Sequence, residues 1–248
     1  MSERAPTFRA LGTAWWIEVL DEIDAEERAA AISCCAHVAA EFEQRYSRFL
    51  PDSYVSRLNR ARVLTDVPRE LIELLRFGQD MHRQTEGACN VLVGHIVEGR
   101  GYDATYSLSP AVDHATRVPG DPQRDIRIDG TTVQLSRGHL DLGSFGKGWL
   151  IDELTTLLSE EFGLHHFLIN GGGDMYATSE SDGSPVTIYL EHPTDSTQYL
   201  KEIGLHHSGF AASSPFRRRW QTRDGPLTHI VAVGGDGDSP THAECATF

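Results

Sequence analysis

The order of the apolar segments constrains the fold of this 248-residue chain more than any other feature. Residues 10–20 are apolar on both faces, which predicts a well-covered β-strand. Large apolar side chains then recur at alternating spacings of 3 and 4 over 32–49, which predicts a helix that ends before Pro51. Further helices are predicted over 68–87 and 147–162. Further strands are predicted at 126–128, 133–135, 140–142, 166–170, 186–191, 203–212 and 229–233. Helices and strands alternate without βαβ regularity, so the sequence predicts an α+β fold with a mostly antiparallel sheet.

Charge and hydropathy exclude several classes of protein. The chain has 22 basic and 36 acidic residues and a net charge of −14 with neutral histidines. Nucleic acids and anionic membrane surfaces are therefore not expected partners, because both need a concentrated basic patch. No apolar run has the length of a membrane span, and the N-terminal segment has neither an apolar signal core nor a lipid-attachment cysteine. We expect a cytoplasmic protein whose four cysteines, without zinc-type spacing, are reduced thiols.

A glycine-rich junction between a predicted strand and a predicted helix is the first candidate site. Asp141 is followed by Gly143, Gly146 and Gly148, with Lys147 at the start of the helix. Glycines allow a ligand to approach the backbone closely, and the amides of a helix N-terminus attract phosphate, to which Lys147 adds a positive charge. Taken alone, the segment is either such a ligand-binding turn or an ordinary turn that caps a helix.

Two further segments are weaker candidates. Three consecutive glycines follow Asn170 and precede Asp174, which indicates either close packing of the chain or a wall of a ligand site. Small hydroxyl residues precede three arginines over 212–219, where either a phosphate contact or a solvated turn is possible.

Taken together and in order, these segments resemble the ApbE family of FAD:protein FMN transferases. The match runs from about Leu11 to Phe248. The most specific part is 141–152, which is similar to the family pattern D-L-G-x-x-x-K-G-Y-x-V-D. The other matching segments lie at 11–13, 46–59, 85–90, 168–174, 212–218, 229–231 and 242–247.

The resemblance implies a single ApbE-like domain over 1–248 with an α+β fold that binds FAD in a cleft. It implies transfer of FMN from FAD, the substrate, to a Thr or Ser hydroxyl of a flavin-acceptor protein, with release of AMP. In the family Mg²⁺ bridges the pyrophosphate and offsets the charge that develops as the diphosphate is split.

The resemblance also assigns roles to individual residues. Phe49 stands where the family has a ring-stacking tyrosine, and His229 and Asp174 are the candidate catalytic residues. Ser144 and Thr247 are the candidate magnesium ligands. The remaining candidate cofactor-binding residues are Ala88, Cys89, Asn90, Asp141, Lys147 and Ile230.

Three departures from the family pattern identify a divergent member. Asn90 replaces an acidic residue, and Ala232 follows 229–231 where the family has an aspartate. Ala243 stands at the aspartate of the metal motif, and Glu244 lies one position away, which on a helix is a rotation of about 100°. We therefore expect weak use of Mg²⁺. Two alternatives stay open: a flavin-binding protein with degenerate transfer activity, and an FAD pyrophosphatase.

Overall fold

A computed structural model describes residues 7–192, 194–195, 197–213, 218–223 and 225–231. These residues group into two compact units. Unit 1 contains 7–42 and the described part of 145–213, and unit 2 contains 43–144 and the described part of 218–231. The expectation of one ApbE-like domain over the whole chain stays a prediction.

Helices and short strands both contribute. The helices are α1 (Ala25–Tyr46), α2 (Tyr54–Ala61), α3 (Arg69–Gln84), α4 (Gly94–Gly99), α5 (Pro122–Asp125) and α6 (Gly146–Thr156). A 3₁₀ turn lies at His114–Thr116, and a π-helical turn at Leu157–Glu161 continues α6. The strands are β1 (Phe8–Ala10), β2 (Thr13–Val19), β3 (Val63–Leu64), β4 (Ile126–Asp129), β5 (Thr132–Leu135), β6 (Phe167–Gly171), β7 (Asp174–Ala177), β8 (Val186–Glu191), β9 (Tyr199–Leu205), β10 (Ser208–Phe210), β11 (Arg219–Thr222) and β12 (Gly225–Thr228).

Unit 1 is built on a five-stranded antiparallel sheet in the order β1-β2-β6-β7-β10. Every second side chain of β2 is buried, and Trp15 and Phe167 are fully enclosed in the core. Helix α1 begins after Asp24, whose carboxylate accepts hydrogen bonds from the amides of Glu26 and Glu27 and so caps the helix. Strands β8 and β9 form a separate ribbon that packs its apolar face on Phe210.

Unit 2 combines helices with a three-stranded antiparallel sheet, β3-β5-β4, and a ribbon of β11 and β12. Ser53 caps α2 by accepting a hydrogen bond from the Ser56 amide at 3.0 Å. The predicted β4–β5 hairpin is present, with Gly130 at a φ of 55° in its turn. Every strand pairing among the described residues is antiparallel, and the predicted α+β class is confirmed.

Three predicted strands are wrong in position or extent. The 140–142 segment is not a strand, because the Asn59 side chain, rather than a neighbouring strand, bonds both the amide and the carbonyl of Leu140. The strand predicted at 203–212 is divided by a turn at His206 and His207, where the φ of His207 is 46°. The last predicted strand lies earlier, because β12 ends at Thr228 and the described residues 229–231 are not in a strand.

Candidate functional site

A buried ion pair in unit 2 contains Asp141, the first residue of the 141–152 motif. The Arg48 side chain is 3% exposed, and its Nε donates to Asp141 Oδ2 at 2.7 Å. Its Nη2 donates to the Tyr102 carbonyl at 2.8 Å, and its Nη1 lies 3.7 Å from a Glu98 carboxylate oxygen. A guanidinium this deeply buried is stable only when its charge and its donors are satisfied. The arrangement therefore fixes the orientation of Asp141.

Asp141 is held on its other side by its own turn. Its Oδ1 accepts a hydrogen bond from the Gly143 amide at 2.7 Å, and a Cβ at Gly143 would lie 2.8 Å from that oxygen. The Asp141 amide donates to the Val91 carbonyl at 2.8 Å. A side chain at position 143 would therefore push the Asp141 carboxylate out of this hydrogen bond. The carboxylate keeps further acceptor capacity for a ligand, since two oxygens offer about four lone-pair sites.

The groups around the Arg48–Asp141 ion pair also lower the pKa of the Glu98 carboxyl. Burial raises the pKa of this carboxyl, but the hydrogen bond from His139 and the charge of Arg48 outweigh that effect and hold it below its ordinary value. The cluster therefore carries two carboxylates, Glu98 and Asp141, against one buried guanidinium.

Aromatic rings surround the ion pair. The Phe49 ring is stacked on Tyr106 with centroids 5.3 Å apart and meets Tyr102 edge-on at 5.7 Å. Tyr102 in turn stacks on Trp220 at 6.2 Å and lies 6.2 Å from the His229 ring. Burial is the main cause that raises the pKa of Tyr102, so its phenol stays protonated at neutral pH. The cluster offers flat apolar surfaces beside a fixed carboxylate.

The β11–β12 ribbon brings the C-terminal site residues to this cluster. Arg100 Nη1 donates to the Ile230 carbonyl at 2.9 Å, and Trp220 Nε1 donates to the Arg100 carbonyl at 3.0 Å. Arg218 Nη1 donates to the Tyr102 hydroxyl at 2.8 Å. His229 and Ile230 therefore lie beside the segment that contributes Tyr102.

The 88–90 segment has a different environment. Asn90 is buried, and its amide donates to the Gly120 carbonyl while its oxygen accepts from the Leu92 amide, so both ends of the side chain stabilise the local fold. Cys89 Sγ lies 3.6 Å from Ser144 Oγ, and Ala88 is exposed. The structure thus brings Cys89 next to Ser144, one of the two predicted metal ligands.

In unit 1 the predicted residues Lys147 and Asp174 form an ion pair. Lys147 lies in the first turn of α6, where no side chain caps the helix. Asp174 begins β7 after the three-glycine turn. A Cβ at Gly171 would lie 2.7 Å from the Trp15 ring, and one at Gly172 would overlap Thr13 Oγ1. Gly171 and Gly172 therefore serve close chain packing, the first of the two alternatives, whereas a Cβ at Gly173 would have nothing within 4 Å.

Several predictions fall outside the described residues. Thr247, Ala243 and Glu244 are among them. Residues 214–217 of the 212–219 segment are also outside the described part of the chain. Within the described part of the chain, no group of three or more His, Cys, Asp and Glu side chains is arranged to bind a metal. None of the described helices is both long and apolar enough to cross a membrane. The cytoplasmic location stays a prediction.

Comparison with known proteins decides the family. A protein-family model described as the ApbE family matches residues 11–234. The chain belongs to the ApbE family. Its curated relatives include the FAD:protein FMN transferase of Haemophilus influenzae, 24% identical over 90% of this chain and 69% of the relative, and that of Salmonella typhimurium, 23% identical over 90% and 67%. The predicted family and its transferase class are confirmed.

Solved structures confirm the ApbE-like fold. The ApbE protein of Thermotoga maritima has a TM-score of 0.81 at 19% identity and covers 91% of this chain and 74% of its own. The apo flavinyl transferase ApbE of Pseudomonas stutzeri has a TM-score of 0.75, also at 19% identity, with coverages of 91% and 72%.

Sequence reasoning missed Arg48, Tyr102 and Tyr106. Arg48 occupies an unspecified position in the 46–59 motif, directly before Phe49. The two tyrosines lie in 99–122, a stretch whose Gly, Asp, Pro and Ser content predicts only a loop. The signal that could have found them was local: an arginine directly before the predicted stacking residue, and two tyrosines close to Gly101.

Proposed function

We propose that this ApbE-family chain is an FAD:protein FMN transferase. The observation that carries the proposal is the cluster in unit 2. It gathers Phe49, Asp141 and His229, which lie up to about 180 residues apart in the sequence, around Arg48 and Tyr102, and Ile230 is held beside them by Arg100. An aromatic surface beside an oriented carboxylate matches the needs of a planar heteroaromatic ring that carries hydrogen-bond donors.

The proposed binding roles follow from charge. Asp141, fixed by Arg48, accepts hydrogen bonds from the ring or the sugar of FAD. In unit 1, the uncapped first turn of α6 and the Lys147 ammonium are suited to a phosphate. Asp174 keeps Lys147 oriented through their ion pair until the diphosphate competes for the ammonium.

The proposed reaction is a phosphoryl transfer. The hydroxyl oxygen of a Thr or Ser in the acceptor protein attacks the FMN phosphorus, and a new phosphoester bond forms. The bond from that phosphorus to the bridging oxygen breaks, and AMP leaves with the bridging oxygen. His229 beside Tyr102 is the proposed acceptor of the hydroxyl proton, since a neutral imidazole has a ring nitrogen that can accept a proton.

Magnesium use is a finer proposal. Among the described residues, the predicted ligand Ser144 supplies a neutral oxygen, its hydroxyl, which lies near Cys89 Sγ. Mg²⁺ in proteins is usually bound by one or two carboxylates in an octahedral shell. Thr247 offers a second neutral oxygen, and Ala243 removes the carboxylate of the family motif. The donor set thus fits Mg²⁺ only loosely, and we propose binding in the millimolar range. The ion would offset charge on the splitting diphosphate.

A carboxylate introduced at position 243 tests whether this position belongs to a Mg²⁺ site. We expect Ala243→Asp to tighten Mg²⁺ binding and to raise AMP release, both measured against the unchanged chain over a magnesium titration. Equal metal affinity and equal AMP release in the two proteins would show that position 243 does not belong to a metal site.

Incubation with FAD, Mg²⁺ and an acceptor protein of one of the curated transferases tests the activity. Transfer predicts a fluorescent acceptor band in a denaturing gel together with one AMP per flavin attached. Release of AMP and free FMN without a fluorescent band would identify a pyrophosphatase. Saturable FAD binding without AMP would identify a flavin-binding protein that lacks transfer activity.

A further inference from the structure

Both faces of the Phe49 ring are covered in this structure. The Tyr106 ring lies nearly parallel to it, at an interplanar angle of 10° and a centroid distance of 5.3 Å. The Arg48 Cζ lies 4.1 Å from the Phe49 centroid. A guanidinium on the same side as Tyr106 would fall within cation–π range of the phenol, and no such contact joins these two described residues, so the two groups cover opposite faces. Phe49 therefore has no open face for a third ring.

Of the two groups that cover the Phe49 ring, only Tyr106 can move without breaking the buried hydrogen bonds of Arg48. Arg48 is 3% exposed and is tied to Asp141, Glu98 and the Tyr102 carbonyl. Tyr106 is 46% exposed and lies in a stretch without helix or strand. Its ring meets the half-buried Tyr102 ring edge-on at 5.3 Å. A planar ligand can therefore reach Phe49 only on the Tyr106 side.

The segment that carries Tyr106 is a closed, self-supporting turn. The Asp103 carboxylate accepts hydrogen bonds from the amides and the hydroxyls of Thr105 and Ser107, and the Leu108 amide donates to the Gly101 carbonyl at 2.9 Å. Hydrogen bonds from Ser107 are the largest cause that lowers the pKa of Asp103, to about 2, so the carboxylate stays charged at neutral pH. These bonds hold 103–108 together, whereas Tyr102 is tied to Arg48 and Arg218. The Tyr106 ring therefore moves outward with 103–108, while Tyr102 stays in place.

The required shift is about the thickness of one aromatic ring. A ring sandwiched between two others lies roughly 3.5 Å from each, so the planes of its partners are about 7 Å apart. The Phe49 and Tyr106 rings are already nearly parallel, with their centroids 5.3 Å apart. An outward movement of the Tyr106 ring by about 2 to 3.5 Å would admit a planar ring between them.

We infer that Tyr106 is a ligand-binding residue that forms an aromatic clamp with Phe49. The clamp takes a planar heteroaromatic ring between its two rings, and Tyr106 closes on Phe49 when no ring is present. The inference rests on the proposed function, in which that ring belongs to FAD. FAD offers two such rings, the isoalloxazine and the adenine, and the chemistry of the clamp suits either of them.

Equilibrium titrations with FAD, FMN and AMP test the clamp. Tyr106→Ala is expected to weaken FAD binding about tenfold, since one stacking face is lost, whereas Tyr106→Phe is expected to bind FAD within about twofold of the unchanged chain. Tyr106→Leu, which keeps apolar bulk without a ring, should behave like Tyr106→Ala. Tyr189→Ala is the matched control, because Tyr189 is a 52% exposed tyrosine on β8 in unit 1 and should leave affinity unchanged.

The two shorter ligands identify the ring. A tenfold loss confined to FAD and FMN assigns the isoalloxazine to the clamp, and a loss confined to FAD and AMP assigns the adenine. If the unchanged chain binds FAD but Tyr106→Ala and Tyr106→Leu bind it equally or more tightly, the clamp is wrong and Tyr106 only occupies the place of the ligand. If the unchanged chain binds no FAD, the proposed function itself fails.

Discussion

At the scale of single residues, Arg48 is the group on which the candidate site depends. It is 3% exposed and pairs with Asp141, whose side chain is 15% exposed. The same guanidinium lies over Phe49, so one side chain orients the carboxylate and supports the stacking surface. No other described arginine combines such burial with contacts to two predicted site residues.

We expect Arg48→Met to lower the free energy of unfolding by about 3 kcal/mol, because Asp141 would lose its buried partner. Arg69→Met is the matched control. Arg69 is 91% exposed and pairs with Glu73 one helical turn away at 2.7 Å, and its loss should cost no more than about 0.5 kcal/mol. Urea unfolding of the three proteins measures both values. Equal losses in the two variants would show that the Arg48–Asp141 pair contributes no more than a surface pair.

At the scale of elements, the β6–β7 hairpin depends on its glycines. Gly172 has a φ of 72°, and a Cβ there would overlap the Thr13 side chain on β2. Gly183, in the turn before β8, has a similar φ of 82° with nothing within 4 Å of a Cβ. The two positions share a positive φ of similar size and differ in the space around them.

The pair separates backbone strain from steric overlap. Gly183→Ala should cost about 1 kcal/mol of stability, the penalty for an L-residue in the left-handed region. Gly172→Ala should cost about 3 kcal/mol or more, because the overlap with Thr13 adds to that strain. Thermal or urea unfolding gives both values. A Gly172→Ala loss no larger than that of Gly183→Ala would contradict the close packing of β2 on this turn.

At the scale of the whole molecule, His95 links stability to pH. Burial is the main cause that lowers its pKa below the ordinary 6.5, and the nearby His139 and Arg117 add repulsion. Its Nδ1 is buried without a hydrogen-bond partner among the described residues. Below pH 6.5 the unfolded chain binds this proton before the folded chain does. Acidification therefore lowers stability, and raising the pH restores it.

The slope from His95 is at most about 1.4 kcal/mol per pH unit, and smaller in practice because the ring is partly exposed. We expect His95→Gln to reduce the loss of stability between pH 7.5 and 5.5. His37→Gln, which removes a 73% exposed histidine on α1, should keep the full loss. Identical pH profiles for His95→Gln and the unchanged chain would contradict a neutral, half-buried His95.

The class of the fold and many of its elements could be predicted from the sequence, because apolar periodicity and turn residues are local signals. The recurring apolar side chains of α1 and the β4–β5 hairpin are examples. The 140–142 segment failed because the Asn59 side chain takes the place of a strand partner at Leu140, a contact between residues 81 positions apart. The break between β9 and β10 depends on one non-glycine residue, His207, with positive φ, which propensity does not predict.

The motif residues of the candidate site could be predicted from the sequence, whereas the residues that hold them in place could not. Asp141, Phe49 and His229 carry the family resemblance, whereas Arg48 and Tyr102 connect them through contacts that cross the sequence. Asn90 shows the reverse case, since its motif position predicts ligand binding while its side chain bonds Gly120 and Leu92. Spacing identifies which residues are special, and tertiary contacts decide what each of them touches.

Isothermal titration of FAD into the unchanged chain, Lys147→Ala and Lys201→Ala tests whether this chain binds FAD and whether Lys147 takes part. Lys147 and Lys201 are the two lysines of the chain, and Lys201 lies exposed on β9. We predict saturable binding of one FAD by the unchanged chain and by Lys201→Ala. Lys147→Ala should bind about ten- to a hundredfold more weakly, the value of a charge-assisted hydrogen bond to phosphate. Absence of FAD binding by the unchanged chain would rule out the proposed transferase, and equal affinities for the two lysine variants would show that Lys147 does not contact FAD.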